Sequence, residues 1–310
     1  MSEVQSSSPS ATRGSARQTL FDEPFLRKLE RLAVLTNRAA AGNMQGERRS
    51  SKRGQSVEFA DFRPYTLGDD FRRIDWNAYA RLERFFIKLF VEEQDLVIHL
   101  LVDISQSMNW GDPNKLWYAQ RAAAALGYVA LAGLDRVTAS ALGPERSNGT
   151  SYFPPHRGKQ QAFSLFTFLQ NLSAKGHTPL GPRLKAYAAA AAQPGPLVLF
   201  SDLMDDGWSE GLSALASRGF EVSVVQILSP DEVEPEIAGD KKLIDSETQA
   251  EVEITAEYDL LQRYKDSLAD WQAELHRFCS ARGMHYAPIV TTLPFDELLF
   301  AWMRKQGILK

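Results

Sequence analysis

The sequence predicts an α/β protein, doubly wound around a mostly parallel sheet, and three observations predict it. Nearly continuous apolar runs at 95–103, 196–202 and 220–228 read as strands buried on both faces. Helical patterns separate them, which is the alternation that parallel crossover units require. Two of the runs end in aspartates, Asp103 and Asp202, at the carboxyl strand ends where an open α/β sheet binds its ligands.

The elements follow in order. Pro24 opens a helical pattern whose apolar stripe, Phe25, Leu29, Leu32, Val34 and Leu35, runs out near Gly42. A loop rich in Gly, Ser and Arg follows. The block 54–81 mixes aromatic rings with opposite charges too densely for an ordinary loop, so ion pairs packed beneath aromatic rings are expected there. Arg72, Asp75 and Trp76 are expected to hold this block against the sheet. Residues 85–91 read as a strand leading to 95–103, which is followed by an Ala-rich helix at 114–134 and a strand at 135–142. A short edge strand is expected at 149–153, with helices at 158–172, 181–192 and 208–217. Beyond the strand 220–228, two alternating runs within 242–254 flank a turn and predict a hairpin. A long helix at 257–281, a strand at 284–290 and a last helix from Phe295 complete the pattern. The division expected is a disordered tail at 1–20, an amino-terminal segment at 21–94 and a sheet domain at 95–310 carrying an acidic insertion at 229–256.

Composition bounds the function. At 310 residues and 44% hydrophobic content the chain can bury a sizeable core, and its richest apolar run, 122–134, is too short to span a bilayer. Residues 1–20 lack the apolar centre of a secretory signal. A single cysteine, Cys279, excludes an internal disulfide and fits a reducing compartment, so the cytoplasm is expected. The net charge of -4 conceals a polarity: residues 1–90 hold 16 Lys/Arg against 11 Asp/Glu, while 229–259 hold 2 against 11. Acidic surface repels nucleic acid, and the basic stretch 48–53 lacks the interleaved aromatics of a nucleic-acid interface.

The chemistry concentrates in Asp103-Ile104-Ser105-Gln106-Ser107. In a tight loop leaving a strand, alternate side chains turn toward one point. Thr178, within the turn cluster Gly176-His-Thr-Pro-Leu-Gly181, and Asp202, at the end of another strand, add oxygens at the same edge. Hard divalent cations prefer such oxygen donors, and neutral hydroxyls leave a site underfilled, with carboxylates orienting hydroxyls and waters. Asp103, Ser105, Ser107, Thr178 and Asp202 are therefore the candidate metal ligands. His177 neighbours Thr178 and reads as a turn residue.

This set resembles the metal-ion-dependent adhesion site of von Willebrand factor A-type domains, and all five positions of that motif match. The resemblance implies Mg2+ or Mn2+ whose remaining position is filled by a carboxylate from a partner protein. The block Arg63-Pro-Tyr65, Gly68-Asp69-Asp70-x-Arg72-x-Ile74-Asp75-Trp76 and Ala80-Arg81 is similar to the signature of the bacterial domain of unknown function 58 family. Over residues 40 to 305, that resemblance implies a von Willebrand A-like domain working beside a MoxR-type AAA+ ATPase in chaperone-like assembly or activation of client proteins.

Rival chemistries find little support. Gly176 to Gly181 is followed by Pro182-Arg183 and not by the Lys-Ser/Thr of a phosphate-binding loop. Aspartyl-phosphate enzymes need a second carboxylate where Ser105 stands. The five histidines show no zinc spacing. The expectation is a non-enzymatic, metal-dependent protein-binding module with no catalytic residues; the alternatives are a metal-dependent phosphohydrolase and a nucleic-acid-binding factor.

Overall fold

Seven residues, Val97–Asp103, form the central strand β3, and every one of them is buried. In the computed structural model, the described residues are 20–31, 57–66, 71, 74–92, 97–144, 152–235, 237, 239–245, 250–256, 258–294 and 297. The amino-terminal tail to residue 19, the basic stretch 48–53, Gly68 to Asp70, Arg72 and nearly all of the helix expected from Phe295 lie outside them.

Helix α1 is described over 23–31, and Asp22 Oδ1 accepts from Phe25 N at 3.1 Å, closing its first turn. Strand β1 (Val57–Pro64) and strand β2 (Phe86–Glu92) form an antiparallel pair, with helix α2 (Trp76–Leu82) between them in sequence. After β3 come helix α3 (Lys115–Ala132), strand β4 (Arg136–Leu142), strand β5 (Tyr152–Arg157), helix α4 (Ala162–Gln170) and helix α5 (Leu180–Ala190). Then follow strand β6 (Pro196–Ser201), helix α6 (Trp208–Arg218), strand β7 (Glu221–Leu228) and the short helix α7 (Pro230–Val233). The chain closes with the hairpin β8 (Gly239–Ile244) and β9 (Glu251–Ala256), helix α8 (Tyr258–Ser280) and strand β10 (His285–Val290).

Six strands lie in the order β10-β7-β6-β3-β4-β5, all pairs parallel except β4 with β5. That is the strand order of a doubly wound dinucleotide-type sheet, with an antiparallel edge, and it reverses between β3 and β6. Side-chain alternation divides the core in two. Ile98, Leu100 and Val102 pack with α3, α4 and with Phe25 and Leu29 of α1. Leu101, Leu197 and Leu199 pack on the opposite face with Leu184 of α5, Leu212 and Leu215 of α6 and Leu275 of α8. The Arg121 guanidinium, 4.3 Å above the Phe25 ring and bonded to the Leu20 carbonyl at 3.1 Å, fastens α1 to α3.

The aromatic block departs from expectation. Asp75 is buried and caps α2, its Oδ1 accepting from Asn77 N and Ala78 N at 2.8 and 3.1 Å. Trp76, expected beneath the block, is 61% exposed. Its ring meets Tyr79 and Phe85 edge-on, and those two rings stack at 4.4 Å, so the aromatics associate at the surface of the β1–β2 unit. The reason is the cap: placing Asp75 at the helix start turns the next residue outward. Among the described residues no helix is long and apolar enough to cross a membrane.

Candidate metal centre

The centre starts from the last residue of β3. Asp103 is buried at the strand end; its Oδ1 accepts from Ser105 N at 2.9 Å and its Oδ2 from Ser201 Oγ at 2.6 Å. The first bond curls the chain into a tight turn, and the second reaches across to β6, the neighbouring strand at the switch point. Ser105 Oγ and Ser107 Oγ lie 2.9 Å apart, joined by a hydrogen bond.

Thr178 arrives on a separate loop, whose place is fixed by the backbone. Gln106 N donates to Gly176 O at 2.7 Å and Lys175 N to Ile104 O at 2.8 Å. The carbonyl of Leu142, at the end of β4, accepts from Ile104 N at 2.8 Å and from buried Thr178 Oγ1 at 3.4 Å. Arg183 clamps the same exit, donating to Gly143 O and Pro144 O at 2.6 and 2.8 Å. A Cβ on Gly181 would stand 2.5 Å from Gly207 O, so these glycines let the starts of α5 and α6 touch backbone to backbone. The loop of Thr178 is thereby seated against the loop of Asp202.

Asp202 is buried directly after β6. Its Oδ1 accepts from Met204 N at 3.2 Å, and its Oδ2 accepts from Lys115 Nζ at 2.8 Å. Lys115, at the first turn of α3, has a fully buried side chain and also bonds Glu232 Oε1 at 2.5 Å. His177 faces Asp205 at 3.6 Å on the exposed rim, where Trp110 and Met204 are also exposed.

The electrostatics follow from burial. Asp103 is pushed up to about 7, first by desolvation and then by the charge of Asp202, with the Ser201 and Ser105 bonds pulling the other way. Burial alone would lower Lys115, but Asp202 and Glu232 outweigh it and hold the ammonium above its ordinary value. Two buried carboxylates that repel each other beside paired hydroxyls suit a hard divalent cation. The 2.9 Å hydroxyl separation also matches. It is about the edge of an octahedron whose ligands stand ~2.0–2.1 Å from Mg2+. Among the described residues no group of three or more His, Cys, Asp or Glu gathers to hold a metal, so any such centre here depends on hydroxyl donors.

The structure thus sets Asp103, Ser105 and Ser107 on one loop, with Thr178 and Asp202 on two loops attached to it. Sequence reasoning missed Lys115, Glu232 and Ser201. Lys115 heads an apolar helix and looks like an ordinary solvated end. The string Ser229-Pro-Asp-Glu232 carries the spacing of a helix-capping box, a signal that Glu232 is ordered and turned inward. Glu232 belongs to this network, although it falls within the stretch read as an acidic insertion.

Strand order and centre together define an open α/β domain with an oxygen-rich site at its switch point. The chain belongs to the family described as "Protein of unknown function DUF58", which matches residues 61–274. Relatives include Uncharacterized protein Rv1480 of Mycobacterium tuberculosis and Uncharacterized protein Mb1516 of Mycobacterium bovis. Each is 27% identical, over 97% of this chain and 95% of theirs. Similar solved structures include the conserved hypothetical protein BatB from Bacteroides thetaiotaomicron, with a TM-score of 0.43 and 16% identity over 69% of this chain and 98% of that one. A von Willebrand factor type A protein from Catenulispora acidiphila is similar over 46% of this chain and 35% of its own, with a TM-score of 0.35 and 17% identity.

Proposed function

We propose that this protein is a non-enzymatic, metal-dependent protein-binding module. Asp103, Ser105, Ser107, Thr178 and Asp202 would hold Mg2+ or Mn2+, and the occupant of the open position is an Asp or Glu carboxylate of a partner. One observation carries this reading: the Ser105 and Ser107 hydroxyls, 2.9 Å apart, beside two buried carboxylates at the sheet's switch point. A bound cation would supply an electrophilic position that an incoming carboxylate satisfies better than water does.

The chain's own residues do the rest. Asp103 orients the Ser105 turn through its backbone amide, and Ser201 holds Asp103 in place. Leu142 and Gly176 carbonyls fix the loop that carries Thr178. For the partner we propose a MoxR-type AAA+ ATPase and its clients, from the family resemblance, in the cytoplasm that a lone buried Cys279 suits.

The experiment is partner binding measured for wild type, Thr178→Ala and Asp202→Ala, each in Mg2+ and in EDTA. Metal-dependent binding that is lost in both variants is expected. Equal affinity in all arms overturns the reading, and Mg2+-dependent release of phosphate from a phosphomonoester would replace it with the hydrolase alternative.

A further inference from the structure

A fully buried lysine 2.8 Å from a candidate metal ligand is unexpected, because it brings a positive charge to the place where a cation is to be held. Lys115 does not pair with Asp202 alone. Its ammonium is shared with Glu232, whose other oxygen, Oε2, accepts from Ser229 N at 2.7 Å and so closes the first turn of α7. Tyr264 of α8 donates to the Glu232 carbonyl at 2.6 Å, and Lys265 stands 3.7 Å from Glu234. A second contact runs in parallel: a Cβ on Gly111, in the loop that follows the two serines, would stand 2.4 Å from Ser229 Cβ. The metal loop and the start of the acidic arm therefore meet twice, once through charge and once through packing.

We propose that Lys115 is a built-in counter-cation of the centre, and that its division between Asp202 and Glu232 couples divalent-cation binding to the seating of the arm formed by α7 and the β8–β9 hairpin. This rests on the metal reading above. Each carboxylate competes for one ammonium. Glu232 draws positive charge away from Asp202 and so favours the metal; without Glu232 the full charge of Lys115 bears on Asp202 and opposes it. A divalent cation beside Asp202 repels the ammonium toward Glu232, tightening the turn that begins the arm. Linkage makes the effect reciprocal, so a partner that pulls the arm away lowers cation affinity by the same factor.

The two residues then carry opposite signs, which a merely structural role would not produce. Calorimetric titration with Mg2+ is expected to show tighter binding in Lys115→Met and weaker binding in Glu232→Gln. Each shift should be about tenfold, inside the ~5–150-fold range usual for coupled sites. Limited proteolysis supplies a second readout: Mg2+ should slow cleavage in the β8–β9 hairpin of the wild type and leave the rate in Lys115→Met unchanged. Should Lys115→Met not fold, the double variant Lys115→Met/Glu232→Gln removes one charge of each sign and should still bind Mg2+ more tightly than wild type. Shifts in the same direction, or constants equal to those of a binding wild type, overturn the coupling while leaving the metal reading intact. No Mg2+ heat from the wild type overturns both.

Discussion

Ser201 and Asp103 join the two central strands at their carboxyl ends, through a buried hydrogen bond of 2.6 Å from Ser201 Oγ to Asp103 Oδ2. Because Asp103 also orients the Ser105 turn, the bond connects the stability of the sheet to the shape of the centre. Ser201→Ala leaves a buried carboxylate oxygen without its donor, a loss of ~1–3 kcal/mol. Urea denaturation in EDTA should show a drop of that size. An unchanged midpoint would mean that another group takes over the donor's place.

Metal should stabilise the protein by mass action. At a free concentration one hundred times Kd the gain is ~2.7 kcal/mol. The double variant Ser105→Ala/Ser107→Ala should lose that gain, giving identical melting temperatures in Mg2+ and in EDTA. A wild-type-like rise in that variant would place the metal elsewhere.

Asp75 and Trp76 should separate cleanly. Removing the cap with Asp75→Ala costs ~1 kcal/mol, up to ~2 for a cap that is buried as this one is. Trp76→Ala forfeits surface ring contacts, for which double-mutant cycles give ~0.5–1.5 kcal/mol per aromatic pair. Chemical denaturation of both variants checks this. A loss of ~3–5 kcal/mol in Asp75→Ala would instead show that its carboxylate completes a buried ion pair.

His99 should make stability pH-dependent. It is buried on β3, bonded to the Tyr187 hydroxyl at 2.7 Å, and desolvation lowers it from 6.5 to about 4 despite the backbone of Gln193. The unfolded chain therefore binds a proton below pH 6.5 that the folded chain refuses until about pH 4. Stability is full above 6.5 and falls by up to ~3 kcal/mol as pH drops through that window. In the metal-free protein Asp103 acts in the opposite sense: its folded value is raised to about 7, so its contribution is full below its ordinary value and is lost as pH rises toward 7. The difference in unfolding free energy between wild type and His99→Gln isolates the histidine. That difference should shrink as pH falls from 7 to 4; a flat difference would sink the assignment.

The parallel strands were legible because they are buried on both faces and must be nearly all apolar. β3, β6 and β7 lie within a residue or so of the runs at 95–103, 196–202 and 220–228. The edge strand lies later than 149–153 because β5 runs through Pro154 and Pro155, which only an outer strand tolerates and which a β pattern search rejects. β1 was hidden in its aromatic and charged block, since a strand in a small two-stranded unit has no continuous apolar face to advertise it. Of the centre, the short-range part, Asp103 to Ser107, is written as a string, and Thr178 and Asp202 as turn and strand-end residues. The Lys115–Glu232 pair spans 117 residues, and no periodicity reports a charge pair made by tertiary packing.

The backbone contact between Gly181 and Gly207 has a consequence for how this region can change. Two of the candidate ligands ride on loops that share a single point of closure, so Thr178 and Asp202 cannot be tuned one at a time from that side. A methyl group introduced at position 181 would act as a wedge with two outputs, displacing a hydroxyl and a carboxylate together. Adjusting the site is then a task for residues on its outer rim, such as Trp110, His177 and Met204, which can vary in size and charge without moving the hinge.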